Sequence, residues 1–291
     1  MKFKGIMPAL VTPLTADGKV NTDAAQKLIE KLISEGADGF YIGGATGEGI
    51  CMTPEEREVL AECTVCAVGG RAGTIIHIAS MVFADAVRLA RHAERIGADA
   101  ISAIPPLFYP YSADEISEYY KKLAEAVHIP LIIYNNPGAG VSFTPEQIVR
   151  LFEVDNITGI KWTRPDYYSV MRIRDLTHGE MNIINGPDET LLQGLAAGAD
   201  GGIGTTYNLM TPLYKRIYSL FGEGRMSEAL KLQTVADRVV ALIAAHGTIP
   251  CTKALLECGG IEVGDAGFPF RMMSSEEKSA VYEKFRRIYV F

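Results

Sequence analysis

The sequence is short of the residues that usually announce a stapled, metal-built or membrane-spanning protein. Five cysteines scattered over 291 residues are an odd number without a framework of spacings, which excludes a disulfide-stapled scaffold and fits a reducing compartment. The five histidines, at positions 77, 92, 128, 178 and 246, show no metal-ligand spacing, so no metal is expected. No apolar run approaches the roughly 20 residues of a spanning helix; the most apolar stretch is Val239 to Ala245. Basic residues are outnumbered by acidic ones, 28 to 35, for a formal charge of −7. That balance argues against nucleic acid or an anionic membrane as partner, while a local positive pocket for a small anionic metabolite stays open. There is no Walker-type Gly-Lys-Ser/Thr loop and no Gly-x-Gly-x-x-Gly turn after the first strand-like run; Gly202-Ile203-Gly204 is a lone fragment. The basic start Met1-Lys2-Phe3-Lys4 leads into a stretch with Pro8 and Pro13 and no long apolar segment, so no secretory signal is expected and the expected address is the cytoplasm.

What is present is the material of a large core: 48% hydrophobic and 22% charged residues, in a length that suits one α/β barrel of about 250 residues plus an appendage. The tripeptide Gly-Ala-Asp recurs at Gly36, Gly97 and Gly198, each time after a helical apolar pattern and before a short strand-like run. Glycine there supplies the left-handed turn that ends a helix, and the intervals match two and four units of about 25 to 30 residues, the size of a βα unit. Strands are therefore expected at Ile6–Val11, Gly39–Ile42, Thr74–Ile78, Ala100–Ile104, Leu131–Tyr134, Gly159–Lys161, Asn182–Asn185 and Gly201–Ile203. Ala24, Ala25, Leu28, Ile29, Leu32 and Ile33 keep helical spacing between the first two. Thr53-Pro54-Glu55-Glu56 and Thr144-Pro145-Glu146-Gln147 read as capped helix starts. The expected fold is a (β/α)8 TIM barrel over residues 1–224, with a small C-terminal helical region over 225–291 carrying helices at Met226–Ala245 and Ser275–Ile288. A doubly wound open sheet is the architectural alternative.

In such barrels the reactive groups gather at the C-terminal ends of the strands. That rule brings together the turn Gly43-Gly44-Ala45-Thr46-Gly47-Glu48, Tyr109, Tyr134, Lys161, Asp188 with Glu189, and Thr205 with Thr206. A lysine ending an apolar strand projects its amine into a semi-enclosed cavity, where the neutral form is favoured, and a neutral amine adds to a ketone to form an iminium, an electron sink for carbon–carbon bond chemistry. The other reading of Lys161 is a snorkelling or salt-bridged side chain. Tyr134 can supply proton transfers one strand away, or pack with its hydroxyl satisfied. The glycine-rich turn lets backbone N–H groups approach a small carboxylate, although a tight βα loop needs the same residues. Asp188, Glu189, Thr205 and Thr206 suit the hydroxyls of a sugar-like substrate, and acids at a helix start also answer the dipole. Cys63 and Cys66, spaced C-x-x-C, share a helical stripe with Val59, Leu60 and Ala67 and are expected in the core rather than in redox or metal chemistry.

Taken together, these segments resemble the dihydrodipicolinate synthase and N-acetylneuraminate lyase family over essentially the whole chain. Gly43 to Glu48 is similar to the family's Gly-x-[Ser/Thr]-Thr-Gly-Glu turn, Tyr134-Asn135-Asn136-Pro137 to its Tyr-Asn-x-Pro, and Gly159-Ile160-Lys161 to the strand with its Schiff-base lysine. The resemblance implies that Lys161 is the nucleophile, Tyr134 the general acid/base, and Ala45 and Thr46 the carboxylate-binding turn. It also implies a homotetramer in which Tyr109 of a neighbouring subunit completes the proton relay. Asn185 to Glu189 and Gly198 to Asn208 look like the lyase branch, so Thr163, Gly186, Asp188, Glu189 and Thr205 would contact a polyhydroxyl tail. The synthase branch usually has an arginine soon after Tyr-Asn-x-Pro, where this chain has Gly138-Ala139-Gly140, and losing that pairing weakens a dicarboxylate-forming reaction. Two departures stand out: Ala45 lacks the hydroxyl the family uses between its two tyrosines, and bulky Trp162 adjoins the lysine. The implied activity is reversible cleavage of N-acetylneuraminate to N-acetylmannosamine and pyruvate without a metal or organic cofactor. The partners are then small molecules, pyruvate and a sugar or aldehyde acceptor. The alternatives are a related 2-keto-3-deoxy sugar acid aldolase or dehydratase, a 4-hydroxy-tetrahydrodipicolinate synthase with an unusual carboxylate site, and a non-catalytic 2-oxo acid sensor.

Overall fold

The computed structural model describes residues 2–136, 138 and 143–290; Pro137 of the Tyr-Asn-x-Pro segment, and Ala139 and Gly140 beyond it, lie outside the described residues. Eight parallel strands, β1 Gly5–Pro8, β2 Gly39–Ile42, β3 Gly73–His77, β4 Ala100–Ala103, β5 Leu131–Asn135, β6 Ile157–Trp162, β7 Asn182–Asn185 and β8 Gly201–Gly204, alternate with helices. The ladders run β1-β8-β7-β6-β5-β4-β3-β2. The circle closes through a parallel bridge between Ala9 and Tyr41, where the Leu10 N–H donates to Tyr41 O at 2.9 Å. The fold is the expected (β/α)8 barrel, and the open sheet is excluded by that closure.

Helices α1 Thr22–Ser34, α2 Pro54–Val68, α3 Phe83–Arg95, α4 Ala113–Glu125, α5 Pro145–Phe152, α6 Tyr167–Leu176, α7 Leu191–Ala196 and α8 Tyr207–Gly222 follow the strands in turn. The three Gly-Ala-Asp glycines do what the tripeptide implied: Gly36, Gly97 and Gly198 have φ of +91°, +81° and +101°, and each lets the chain leave a helix and enter the next strand. Thr144 forms a full capping box with Gln147. Thr53 accepts the Glu56 N–H, but the Glu56 carboxylate accepts the Val20 N–H at 2.9 Å instead of closing the box. The α1 stripe is buried at Ala24, Ala25, Leu28, Ile29 and Leu32, with Ile33 half-buried.

The α2 stripe is rotated from the expected one. Its buried residues are Arg57, Leu60, Ala61, Thr64 and Val68, so Cys63 is half-buried and Cys66 exposed. The reason is Arg57, whose guanidinium donates to the carbonyls of His77 and Ala79 and draws its own face of the helix inward. The C-terminal helices are α9 Met226–His246, α10 Thr248–Cys258 and α11 Ser275–Ile288. The unexpected one, α10, carries Pro250 in its first turn, where the missing N–H costs nothing. Among the described residues no single helix is long and apolar enough to cross a membrane.

Candidate active site

The C-terminal ends of β5 and β6 carry the centre of the site. Tyr134 and Lys161 are register partners across the two strands, and both side chains are buried. The Lys161 amine sits 4.3 Å from the centroid of the Tyr134 ring and 4.4 Å from that of Tyr41, so it is held between two aromatic faces in the barrel mouth. No carboxylate is paired with it at ion-pair distance among the described residues, which sets aside the salt-bridged reading. Trp162, one residue on, faces the opposite side of the strand from Lys161 by the alternation of strand side chains, and it is buried.

Two aromatic neighbours complete the cage. Tyr41 on β2 donates its hydroxyl to Ser102 Oγ at 3.0 Å, and Ser102 in turn donates to Ile132 O at 2.8 Å. Burial, followed by the nearby Tyr134 phenol, holds the Tyr41 phenol well above the usual range, so it stays protonated. His77 on β3 lies 6.0 Å from Tyr41 and 6.1 Å from Tyr134 between ring centroids. The Ile104 N–H approaches His77 Nε2 at 3.3 Å; since that backbone group can only donate, Nε2 is the acceptor and Nδ1–H donates to Gly43 O at 3.2 Å. Burial and then the Arg57 and Lys161 charges push the imidazole well below its ordinary value. Neutral His77 therefore anchors the start of the glycine-rich turn.

That turn is shaped by contacts at glycines. A side chain at Gly44 would overlap the Tyr41 ring, and one at Gly49 would overlap Gly43 O. Thr12 donates its hydroxyl to Gly47 O, and Glu48 takes a left-handed φ of 57°. Its carboxylate pairs with Lys253 of α10 at 2.9 Å, with the two side chains 4% and 1% exposed, and accepts the Gly267 N–H at 2.7 Å. Thr46, buried in the turn, shares a 2.7 Å hydroxyl contact with Thr205 beyond β8. Ala45 is exposed.

On the β7 and β8 side, Asp188 is buried and accepts from Thr205 N at 3.2 Å, Thr206 N at 2.6 Å and Thr206 Oγ1 at 2.6 Å. Burial outweighs those bonds and pushes its carboxyl up to about 6. Its own carbonyl accepts from Gln233 Nε2 of α9 at 3.1 Å. Gly186 packs against Thr163, whose hydroxyl a side chain there would overlap; Thr163 Oγ1 is buried without a hydrogen-bond partner among the described residues. A cavity of about 440 Å³ is lined by Thr163, Asp188, Glu189 and Thr205 together with Val240 and Ile243 of α9. Lys161 and Tyr134 are not among its lining residues; the cavity is linked to the lysine through Thr163, two residues further along the chain, and to the turn through Thr205, which touches Thr46.

Most of the expected residues thus converge: Lys161, Tyr134, Thr46, Thr163, Gly186, Asp188, Glu189 and Thr205 share one mouth. Tyr109 does not join them within the chain. It is 63% exposed, flanked by Phe108 and Tyr111 at centroid distances of 5.1 and 6.1 Å. Residues that the sequence reading passed over are Tyr41, His77, Lys253 and Gln233. For the first two there was a signal, a polar group near the end of an otherwise apolar strand.

Fold and site together define a (β/α)8 barrel with a buried lysine amine, flanked by two phenols, over its strand ends. The chain belongs to the dihydrodipicolinate synthetase family, whose family model matches residues 2–287. It is 38% identical over 283 residues to an N-acetylneuraminate lyase of Rhizobium meliloti, covering 97% of this chain and 94% of that protein. It is 35% identical over 256 residues to the N-acetylneuraminate lyase of Citrobacter koseri, covering 87% and 86%. Among solved structures it is similar to CdNal from Clostridium difficile in complex with mannosamine, at a TM-score of 0.95 and 32% identity over 99% of this chain and 100% of that one. The Proteus mirabilis N-acetylneuraminate lyase gives 0.94 and 32% over 99% of both.

Proposed function

We propose that the chain is a class I aldolase-type lyase that reversibly cleaves N-acetylneuraminate to N-acetylmannosamine and pyruvate. The observation that carries this reading is the Lys161 amine, buried between the Tyr41 and Tyr134 rings and linked through Thr163 to a cavity with hydroxyl and carboxylate groups on its wall. In this scheme the open-chain sugar acid places its carboxylate on the turn at Ala45 and Thr46 and its tail against Thr163, Gly186, Asp188, Glu189 and Thr205. The amine adds to the C2 ketone, water leaves, and the iminium forms. A proton leaves the C4 hydroxyl toward Tyr134, the C3–C4 bond breaks, and its electron pair is taken up as the enamine while the aldehyde departs. Protonation at C3 and hydrolysis then free pyruvate and the amine. The lysine itself is the electron sink, so the scheme uses no metal or organic cofactor.

The exposed Tyr109, on a segment where Phe108 is 87% exposed, supports a homotetramer in which a neighbouring copy receives this tyrosine. Five free cysteines support a cytoplasmic address. We take residues 1–224 as the barrel and 225–291 as a helical region that completes its site. The apolar wall at Val240 and Ile243 favours, as a second reading, a different 2-keto-3-deoxy sugar acid as the substrate.

The test is borohydride reduction in the presence of N-acetylneuraminate, with pyruvate in parallel, followed by peptide mass spectrometry. A reduced pyruvyl adduct on Lys161 from both compounds is the expected result. Labelling by pyruvate alone moves the assignment to the second reading, and labelling by neither withdraws the mechanism.

A further inference from the structure

Asn136 lies two residues beyond Tyr134, where the chain leaves β5. Its Oδ1 accepts the Gly138 N–H at 3.0 Å, and its Nδ2 lies 3.3 Å from Tyr134 Oη. The amide cannot be turned round: a backbone N–H only donates, so the atom it meets is the oxygen, and the NH2 end faces the phenol. Among the described residues this is the side-chain hydrogen-bond partner of Tyr134 Oη.

The other groups around Tyr134 do not compete for its oxygen. Lys161 on β6 lies over the face of the ring. Tyr41 on β2 gives its proton to Ser102, Tyr120 on α4 gives its own to Ala103 O at 2.9 Å, and neutral His77 on β3 has both nitrogens engaged by backbone. The neighbouring turn offers a methyl group at Ala45.

We propose that Asn136 is a positioning residue for proton transfer, its N–H holding Tyr134 Oη and steadying that oxygen whenever it gives up its proton. The inference rests on the reading of Tyr134 as the group that moves protons. A donor fixed on one side of the oxygen leaves the phenolic hydrogen free to point at substrate. When the hydrogen has gone, the same contact becomes a charge-assisted bond, which is the stronger kind. Asparagine achieves this without adding a titrating group to the site.

The rival explanation is that Asn136 merely holds its loop through Gly138, and two variants separate them. Asn136→Asp keeps an oxygen for the Gly138 N–H and removes the donor to the phenol; Asn136→Leu removes both. The assay is exchange of solvent deuterium into the methyl group of pyruvate, followed by NMR against pH on the full-length protein, which needs no knowledge of the aldehyde. Both variants are expected to lower the exchange rate about tenfold, the loss of one hydrogen bond to a charged group. In Asn136→Asp the rising limb of the pH profile should also move up by about one unit, with a wild-type melting curve. Wild-type rate and profile in Asn136→Asp, with Asn136→Leu impaired, would show a loop-holding role and overturn the proposal. Borohydride labelling of wild-type Lys161 by pyruvate is run alongside. If that label forms and Asn136→Asp is unaffected, the Asn136 inference alone falls; if wild type takes no label and shows no exchange, the aldolase reading falls with it.

Discussion

Replacing Lys253 by methionine removes one charge from the base of the glycine-rich turn and keeps most of the packed stem. The pair it forms with Glu48 is 2.9 Å long, with side chains 1% and 4% exposed, so water does not compensate the carboxylate left behind. Breaking a buried pair from one side costs about 3–5 kcal/mol. An unfolding entropy of about 2.1 cal/mol/K per residue gives roughly 0.6 kcal/mol/K for this chain, so the melting temperature should fall by about 5–8 °C. Glu48 holds a left-handed backbone two residues past Thr46, and loosening it should also raise KM for pyruvate. The double variant Lys253→Met with Glu48→Gln no longer contains the orphan charge and should recover a large part of the loss. Thermal melts of the two single variants and the double variant form a closed cycle that measures the coupling. A melting point for Lys253→Met within about 2 °C of wild type, or strictly additive losses in the double variant, would show that the pair does not carry the stability assigned to it.

Tyr134→Phe should lower kcat by about 10²- to 10⁴-fold while leaving the fold intact, read from steady-state kinetics beside a melting curve; a loss of fewer than about five-fold would remove Tyr134 from the proton-transfer role. Asp188, at about 6 when folded against about 3.9 when unfolded, favours the folded state fully below the unfolded value. That contribution is lost as pH rises through about 6, a change of about 3 kcal/mol. Asp188→Asn should remove this slope from urea melts between about pH 4 and 6, and an unchanged slope would contradict the burial argument. Gly186→Ala forces its new methyl group onto the Thr163 hydroxyl; KM for the sugar acid should rise while borohydride labelling by pyruvate persists, and equal loss of both would mean that Gly186 serves the lysine rather than the tail. If Tyr109 serves a neighbouring copy, Tyr109→Phe should lower kcat in a protein that still sediments as a tetramer, and a monomeric wild type would end that idea.

The parts of this molecule that depend on neighbours along the chain could be read from the sequence. The Gly-Ala-Asp glycines, the Thr144 capping box and the placement of Lys161 one strand from Tyr134 follow from local rules of helix ending, capping and strand order. What escaped the reading depends on contacts between distant segments. Tyr41 and His77 meet Lys161 and Tyr134 because the barrel closes; each is a polar group near the end of an apolar strand, but that local signal does not say which groups it will meet. Lys253 and Gln233 reach the site from helices whose docking has no local signature. The α2 stripe differs from the expected one because the Arg57 guanidinium finds two carbonyls inside the fold, a contact between distant segments. The strand-one boundary differs for a related reason: after Pro8 the chain changes partner, with Ala9 bonded to β8 and Leu10 to β2.

The buried Glu48–Lys253 pair joins two segments that are far apart in the order of synthesis. All eight strands leave the ribosome before Lys253 does, so the glycine-rich turn is made long before the cation that pairs with its Glu48. The turn thus gains its counter-charge from a helix that follows the whole barrel in the chain, so truncation ahead of Lys253 is expected to loosen the turn while Lys161 and Tyr134, both on barrel strands, are retained.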